Sequence, residues 1–289
     1  MSVKKVKKKK SDEYIAYIMI VVLVVLSLSA LLSILNSEVD TAVHIELATP
    51  EPQSTSEVNF SVNIPILPFA TRSPESAGSD SVIYLTFDDG PSTDVTEQIL
   101  DILKARNIKA TFFILDYPYG SEKEQLVIRQ IQEGHTVGLH GVSHDYSEIY
   151  TDLNTLMSNF TILQEKVYIS TGYHATLIRF PGGSSNTISR KYCPGIMTKA
   201  VNYLPSTEFV YFDWNIDSND TGYANSARDI YYLVTDQIKQ HRSNVVLMHD
   251  TNQYTAEALN YIIDYGLKNG YTFKALTPET TQVTHIVAN

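Results

Sequence analysis

Residues 82–91 of the chain read VIYLTFDDGP, and this stretch decides the class of fold. The run from 82 to 87 is apolar and strand-like, and Gly90 and Pro91 end it abruptly. Two adjacent carboxylates, Asp88 and Asp89, therefore stand at the end of the predicted first strand. Like charges side by side repel each other, so a bound cation or a catalytic role is a common reason for such a pair.

Six more apolar, strand-like runs follow the first, and amphipathic stretches separate most of them. The predicted strands lie near residues 82–87, 109–115, 135–140, 174–180, 209–216, 244–249 and 271–276. The predicted helices begin near Ser92 and at Ser121, and then cover 153–167, 192–204, 226–242 and 255–268. This alternation predicts an α/β fold with a parallel sheet, either open and doubly wound or closed into a barrel. The first strand is not followed by a glycine-rich phosphate-binding loop, so a nucleotide-binding fold has no support.

The N-terminal residues predict a membrane anchor. Residues 1–13 carry six lysines and form a basic, cytoplasmic head, and residues 14–35 are 22 uncharged, mostly apolar residues. That length is enough for a helix to span a bilayer, and the lysines before it predict that the remainder lies outside. A cleavable signal peptide is the alternative, but its apolar core is normally about 7–15 residues long, so an uncleaved anchor is favoured.

Residues 36–80 have the composition of an extracellular stalk. They contain five of the eleven prolines, many Ser, Thr and Glu residues, and one glycine. Residues 58–66 alternate between apolar and polar positions, which predicts a strand at the edge of the main domain. Residues 81–289 form the predicted catalytic domain, which is long enough for one hydrophobic core. Cys193 is the only cysteine in the sequence, so that core has no internal disulfide to support it.

Charge is distributed unevenly along the chain. The net charge is −10, and residues 1–13 have a net charge of +4, which leaves −14 for the rest. An acidic exterior argues against nucleic acid as a partner and against simple electrostatic capture of anionic wall polymers.

Further polar residues follow the later strands, each at the carboxyl end. They are His140 and His144 after strand three, Arg179 after strand four, Asp217 and Asp220 after strand five, and His249 after strand six. Any one of them alone could be a turn, a cap or an ion-pair partner. The carboxyl ends of parallel strands meet at one face, where active sites occur, so together they predict a site. The remaining histidines, His44, His135, His174, His241 and His285, are interpreted as structural or solvated.

These residue types suit metal-assisted hydrolysis. Asp89, His140 and His144 offer one oxygen and two nitrogen ligands, and the i, i+4 spacing of the histidines brings them together if they share a helical turn. Three protein ligands with an open position are typical of catalytic zinc. Asp88 is then free to accept a proton from water, and His249 can donate one to a leaving amine or alcohol.

The motifs TFDDG, HxxxH, RxPGG, DxxD and LxH occur here in the order found in the polysaccharide deacetylase family, the NodB-homology domain, and residues 80–276 resemble it. The resemblance implies a distorted (β/α) barrel with about seven parallel strands. It also implies removal of N- or O-acetyl groups from polysaccharides with a divalent metal, most often Zn²⁺, although Co²⁺, Ni²⁺ or Mn²⁺ fit the same ligands.

The resemblance implies a role for each matching residue. Asp88 is the base, held by Arg179, and His249 is the acid, oriented by Asp220. The metal ligands are Asp89, His140 and His144. Leu247 lines the pocket for the acetyl methyl, and the other predicted substrate-binding residues are Pro181, Gly182, Trp214 and Asp217.

Three positions depart from the family pattern. Gly182 stands where tyrosine is common, although its backbone N–H can still stabilise an oxyanion. Gly141 replaces a serine or threonine, and Thr221 replaces an aromatic residue that shapes the sugar groove. Four tyrosines, Tyr117, Tyr119, Tyr146 and Tyr150, follow strands two and three, but in a chain with 19 tyrosines ordinary packing is the simpler expectation for each.

The predicted location narrows the substrate. A deacetylase tethered outside a plasma membrane meets peptidoglycan, so N-acetylglucosamine residues of that polymer are the expected target. Chitin-like chains, poly-N-acetylglucosamine and O-acetylated xylan are alternatives. A second class of function is an inactive wall-binding protein on the same fold, but the expected site residues are all present. The sequence does not determine the oligomeric state.

Overall fold

A computed structural model describes residues 81–289. The predicted head, anchor, stalk and 58–66 strand lie outside the described residues. Within 81–289, no helix combines the length and the hydrophobicity needed to cross a bilayer.

The described residues form one sheet of short strands with helices around it. The strands are β1 (Val82–Asp88), β2 (Thr111–Leu115), β3 (Thr136–Gly141), β4 (Leu177–Ile178), β5 (Val210–Tyr211), β6 (Ile216–Asp217), β7 (Ser243–His249) and β8 (Thr272–Phe273). Every pairing between them is parallel. Seven strands follow the order β5-β4-β3-β2-β1-β7-β6, and β8 pairs with the first two residues of β1. The prediction of an α/β fold with about seven parallel strands is therefore confirmed, in the form of a half-barrel.

Helices connect most of the strands. They are α1 (Val95–Ala105), α2 (Glu122–Gln132), α3 (Tyr146–Ile149), α4 (Leu153–Thr171), α5 (Ile196–Tyr203), α6 (Ala227–Gln237) and α7 (Gln253–Lys268), with 3₁₀ turns at Ile188–Lys191 and Leu204–Ser206. The side chain of Ser121 accepts a hydrogen bond from the backbone N–H of Glu124 and so caps α2. The short helix α3 is absent from the sequence prediction, because four residues are too few to show a helical period.

The predicted strand at 209–216 is wrong in one respect, because it is two strands at opposite edges of the sheet. β5 pairs with β4, whereas β6 pairs with β7. Between them the chain turns at Asp213, which is fully buried and accepts hydrogen bonds from Ser184 and from the backbone of His285. The four residues 212–215 thus bring the two edges of the half-barrel near each other, which a hydrophobic pattern alone does not reveal.

The burial and register of β1 place two polar residues side by side at one end of the sheet. β1 is buried from Ile83 to Asp88, and it pairs with β7 over seven residues. That register sets Asp88 directly opposite His249 and, on the other side, Asp88 opposite Phe113. Both polar residues therefore stand at the carboxyl end of the central strands, the position expected for a site in a parallel α/β fold.

Candidate active site

The turn after β1 separates the two aspartates. Asp88 is the last residue of the strand and is 3% exposed, whereas Asp89 has φ = 70°, an uncommon left-handed conformation for a residue other than glycine. The Oδ1 atom of Asp89 is buried and has no hydrogen-bond partner. A buried carboxylate oxygen without a partner is unfavourable unless a cation or another ligand binds it.

Two histidines face that oxygen. The Nε2 atoms of His140 and His144 lie 3.4 Å and 3.9 Å from Asp89 Oδ1, and the three ligand atoms all lie within 4.8 Å of one another. Burial lowers the pKa of His140 to about 3, so its imidazole is neutral and can ligate. Its Nδ1 atom lies 2.8 Å from the backbone oxygen of Arg179, which can only accept, so the proton is on Nδ1 and Nε2 has a free lone pair. These residues fit a divalent metal.

The two histidines do not share a helical turn, as the i, i+4 spacing had suggested. His140 lies in β3 at a bulge, because the pairing with β2 passes from Leu139 directly to Gly141. Bulges re-aim side chains near active sites. The chain then turns, with the side-chain oxygen of Asn159 accepting hydrogen bonds from the backbone N–H groups of Val142 and Ser143.

Asn159 also explains the glycine at position 141. A Cβ there would lie 2.1 Å from the Asn159 amide nitrogen, and Gly141 has φ = 127°. The site therefore combines a close approach and a backbone conformation that only glycine tolerates. Gly141, which departs from the family pattern, therefore leaves the space that the Asn159 side chain from α4 occupies.

Arg179 connects Asp88 to the rest of the site. Its side chain is fully buried, and Nη1 donates to Asp88 Oδ1 at 2.8 Å and to Thr86 at 2.7 Å. Its other nitrogens donate to the backbone oxygens of Phe212 and Asp213. Burial raises the pKa of Asp88, while Arg179 and His249 act in the opposite direction. Arg179 thus holds the Asp88 carboxylate in one orientation.

His249 and Asp220 form a second pair. Asp220 Oδ1 lies 2.7 Å from His249 Nδ1, and Oδ2 accepts from the His249 backbone N–H and from Thr255. Burial disfavours the charged imidazole, but the hydrogen bond and charge of Asp220 outweigh it and raise the pKa of His249 to about 9. With Nδ1 bound to Asp220, Nε2 faces the aspartate pair, 3.8 Å from Asp89 Oδ2.

These groups open onto one cavity of about 400 Å³. Four of the predicted substrate-binding residues line it: Gly182, Trp214, Asp217 and Leu247. Pro181 does not line it; its backbone oxygen accepts a hydrogen bond from the buried Tyr150 hydroxyl. Further lining residues are Tyr146 at the start of α3 and, after β6, Asn219, Thr221 and Gly222. Apart from Pro181 and the supporting residues Arg179 and Asp220, all the predicted site residues meet in this cavity.

Known proteins resemble this chain in sequence and in fold. The sequence profile of polysaccharide deacetylases matches residues 75–194. The putative polysaccharide deacetylase YheN of Bacillus subtilis strain 168 is 38% identical over 201 residues, which cover 68% of this chain and 67% of YheN. This chain belongs to the polysaccharide deacetylase family.

Two other relatives are named for a substrate. The peptidoglycan-N-acetylglucosamine deacetylase PgdA of Listeria monocytogenes is 34% identical over 83% of this chain, and the matched region is 48% of PgdA, about half its length. The crystal structure of the catalytic domain of peptidoglycan N-acetylglucosamine deacetylase from Eubacterium rectale covers 76% of this chain and 99% of that domain, with 38% identity and a TM-score of 0.69.

One buried group in this family member was missed by the sequence reasoning. Asp250 is 1% exposed, accepts a hydrogen bond from Thr96 at 2.6 Å, and has one oxygen without a partner. Its carboxylate packs against Gly90, where a Cβ would lie 2.1 Å from Oδ2. Burial raises its pKa to about 7. The available signal in the sequence was an acidic residue at the end of an apolar run, directly after His249.

His285, interpreted as structural or solvated, packs directly behind the site. Its ring packs edge-on against Trp214 with centroids 4.7 Å apart, and its Nε2 lies 2.8 Å from the Trp214 backbone oxygen. His285 therefore supports one wall of the cavity from behind. The contact joins residues 71 positions apart, so no local pattern predicts it.

Proposed function

We propose that this protein is a metal-dependent hydrolase that removes the acetyl group from N-acetylglucosamine residues of peptidoglycan. The observation that carries the proposal is the division of the aspartate pair. Asp89 faces the Nε2 atoms of two histidines, His140 and His144, whereas Asp88, one residue earlier, is held by Arg179. Adjacent carboxylates with different partners take different roles in one reaction.

Asp88 is the general base. Its Oδ1 is bound by Arg179, and its Oδ2 lies 3.9 Å from His140 Nε2, at the edge of the ligand cluster. In that position it accepts a proton from the water that attacks the acetyl carbonyl. Because Arg179 is fully buried and bonded to four partners, the base cannot turn away from the reacting water.

His249 is the general acid. Its pKa of about 9 keeps the imidazole protonated at neutral pH, and Asp220 fixes Nδ1 so that Nε2 carries the transferable proton. Donation of that proton to the sugar nitrogen lets the C–N bond break and releases acetate and a free amine. Asp220 stays ionised because its hydrogen bonds to His249 and Thr255 outweigh its burial and lower its pKa.

Asp89, His140 and His144 would hold the divalent metal, which supplies Lewis-acid polarisation of the carbonyl when bound. Zinc is the proposed ion, with cobalt, nickel or manganese as alternatives for the same ligands. Leu247 is proposed to contact the acetyl methyl, since it is apolar and lines the cavity. Gly182, Trp214 and Asp217 are proposed to contact the sugar.

Two features support a polymeric substrate. Asn219 lines both the catalytic cavity and a second cavity of about 670 Å³, which offers a further surface for a neighbouring sugar. Two relatives are named as peptidoglycan-N-acetylglucosamine deacetylases. Chitin-like chains, poly-N-acetylglucosamine and acetylated xylan remain alternatives within the same reaction class.

We further propose that residues 14–35 anchor the protein in the plasma membrane as a single-pass helix. The basic residues 1–13 would be cytoplasmic, residues 36–80 a stalk, and residues 81–289 the extracellular catalytic domain. The support is the uncharged stretch of 22 residues and the lysines that precede it. Protease accessibility of the catalytic domain on intact cells tests the orientation.

Acetate release from the purified protein tests the reaction. Peptidoglycan, chitin oligosaccharides, poly-N-acetylglucosamine and acetylated xylan are compared with and without a chelator. Asp88→Asn should retain zinc and lose nearly all turnover, because the amide cannot accept the proton. An inactive wall-binding protein would bind peptidoglycan and release no acetate from any of the four polymers, which would refute the proposal.

A further inference from the structure

Tyr146 is a cavity residue whose ring is held on two sides. It is the first residue of α3 and follows the ligand His144 by two positions. Its ring packs edge-on against His144 with centroids 5.5 Å apart, and at a tilt of 43° against Tyr150 with centroids 5.3 Å apart. The phenol therefore has a defined direction, and it lines the catalytic cavity.

The hydroxyl of Tyr146 lies directly above Gly182. A Cβ on Gly182 would be 2.2 Å from that oxygen, and Gly182 has φ = 76°. Any side chain at position 182 would displace the phenol, so the glycine and the tyrosine form a complementary pair. The hydroxyl is thereby brought beside the backbone of the residue whose N–H we expect to face the oxyanion.

The hydroxyl of Tyr146 is available to donate a hydrogen bond. A phenol O–H is protonated at neutral pH and can donate one hydrogen bond. Within residues 81–289 it forms no hydrogen bond, whereas the neighbouring Tyr150 donates to Pro181 at 2.7 Å. Because Tyr146 lines the cavity, this donor is available to a substrate that binds there.

We propose that Tyr146 is a further catalytic residue, whose hydroxyl donates a hydrogen bond to the acyl oxygen of the bound acetamido group. This role rests on the proposed deacetylase function and deepens it. The acyl oxygen gains negative charge as water adds to the carbonyl carbon, so the bond is stronger in the transition state than in the ground state. Interactions of that kind raise kcat rather than lower KM.

Tyr146→Phe removes one oxygen and keeps both ring contacts. We expect kcat on a soluble N-acetylglucosamine oligomer to fall about 100-fold, the range seen when one oxyanion donor is lost. KM, zinc content and melting temperature should stay near those of the wild type. Tyr119→Phe, at a 58% exposed tyrosine outside the cavity, is the matched control and should change none of these.

Gly182→Ala tests the pairing independently. Alone it should lower kcat by displacing the hydroxyl and straining the backbone. In the Tyr146→Phe background, Gly182→Ala should lower kcat by a smaller factor, because the hydroxyl oxygen that it would displace is already absent. Equal factors in both backgrounds would contradict the pairing.

The outcomes separate this role from the overall function. Unchanged kcat in Tyr146→Phe, or a loss confined to KM, would overturn the catalytic role while leaving the deacetylase intact; the second result would assign the hydroxyl to the sugar. No acetate from the wild-type enzyme on any polymer would overturn both.

Discussion

The backbone oxygen of Arg179 lies 2.8 Å from Nδ1 of His140, and the side chain of the same arginine binds Asp88 at 2.8 Å. One residue therefore sets the tautomer of a proposed metal ligand and the orientation of the proposed base. Because β4 and β3 are paired neighbours, a shift of Arg179 would disturb both groups together.

Loss of Arg179 should be strongly destabilising. Arg179→Leu leaves the Asp88 carboxylate buried without a cation and removes the donors to two backbone oxygens. Breaking a buried ion pair from one side costs about 3–5 kcal/mol, which urea unfolding would measure. Addition of Asp88→Asn should recover part of that loss. Arg228→Leu, at an exposed arginine over Tyr232, should stay within about 0.5 kcal/mol. A loss at Arg179 as small as the one at Arg228 would contradict this interpretation.

Asn159 should support metal binding without being a ligand. Asn159→Ala removes the acceptor that holds the backbone of Val142 and Ser143, so His144 loses its fixed position. We expect zinc affinity to fall about 10–100-fold, as for other residues that support ligands, and His144→Ala to lower it further. Competition with a chromophoric chelator measures both. His174→Ala, at an exposed histidine bonded to Glu208, is the control, and an Asn159 variant with the affinity of that control would contradict the prediction.

Asp220 should set the alkaline limit of activity. The pKa of His249 is raised to about 9, so the acid is protonated below that pH and activity falls as pH rises through it. Asp220→Asn removes the charge that raises the pKa, so the alkaline limb of the kcat/KM profile should move to lower pH. The loss relative to wild type should be larger at pH 9 than at pH 6. Asp229→Asn at the start of α6 serves as the control; an unshifted limb in Asp220→Asn would exclude this role.

Asp250 should make stability fall as pH rises. Its pKa is raised from 3.8 to about 7 by burial, so between these values the folded state binds more protons than the unfolded state. Stability is therefore lost with rising pH in this window, by up to about 1.4 kcal/mol per pH unit. In urea unfolding, the free energy of unfolding of Asp250→Asn should rise relative to that of the wild type from pH 5 to pH 8. Asp101→Asn, at a 69% exposed side chain, should show no such trend, and a pH-independent difference at Asp250 would contradict the assignment.

Much of this site could be predicted from the sequence. Apolar runs end at Asp88, near His140 and Arg179, and at His249, and parallel strands bring such ends to one face. The bulge at His140 and the division of residues 209–216 into two strands could not be predicted from the sequence. Both depend on which strands pair with each other. A periodic hydrophobic pattern indicates which residues are buried, but it does not indicate which strand is the partner.

By itself the sequence determined which side chains are available and that they share one face of an α/β fold. The family resemblance assigns Asp88 and Asp89 to different roles, but the local pattern gives no physical reason for that assignment, since the two side chains are chemically identical and adjacent. The tertiary structure supplies the reason, because Asp89 turns toward His140 and His144 while Arg179, 91 residues away, binds Asp88. The same holds for Gly182 and Tyr146, whose pairing arises from a turn after β3 meeting a turn after β4. Roles in the site are set by long-range contacts, which local sequence does not encode.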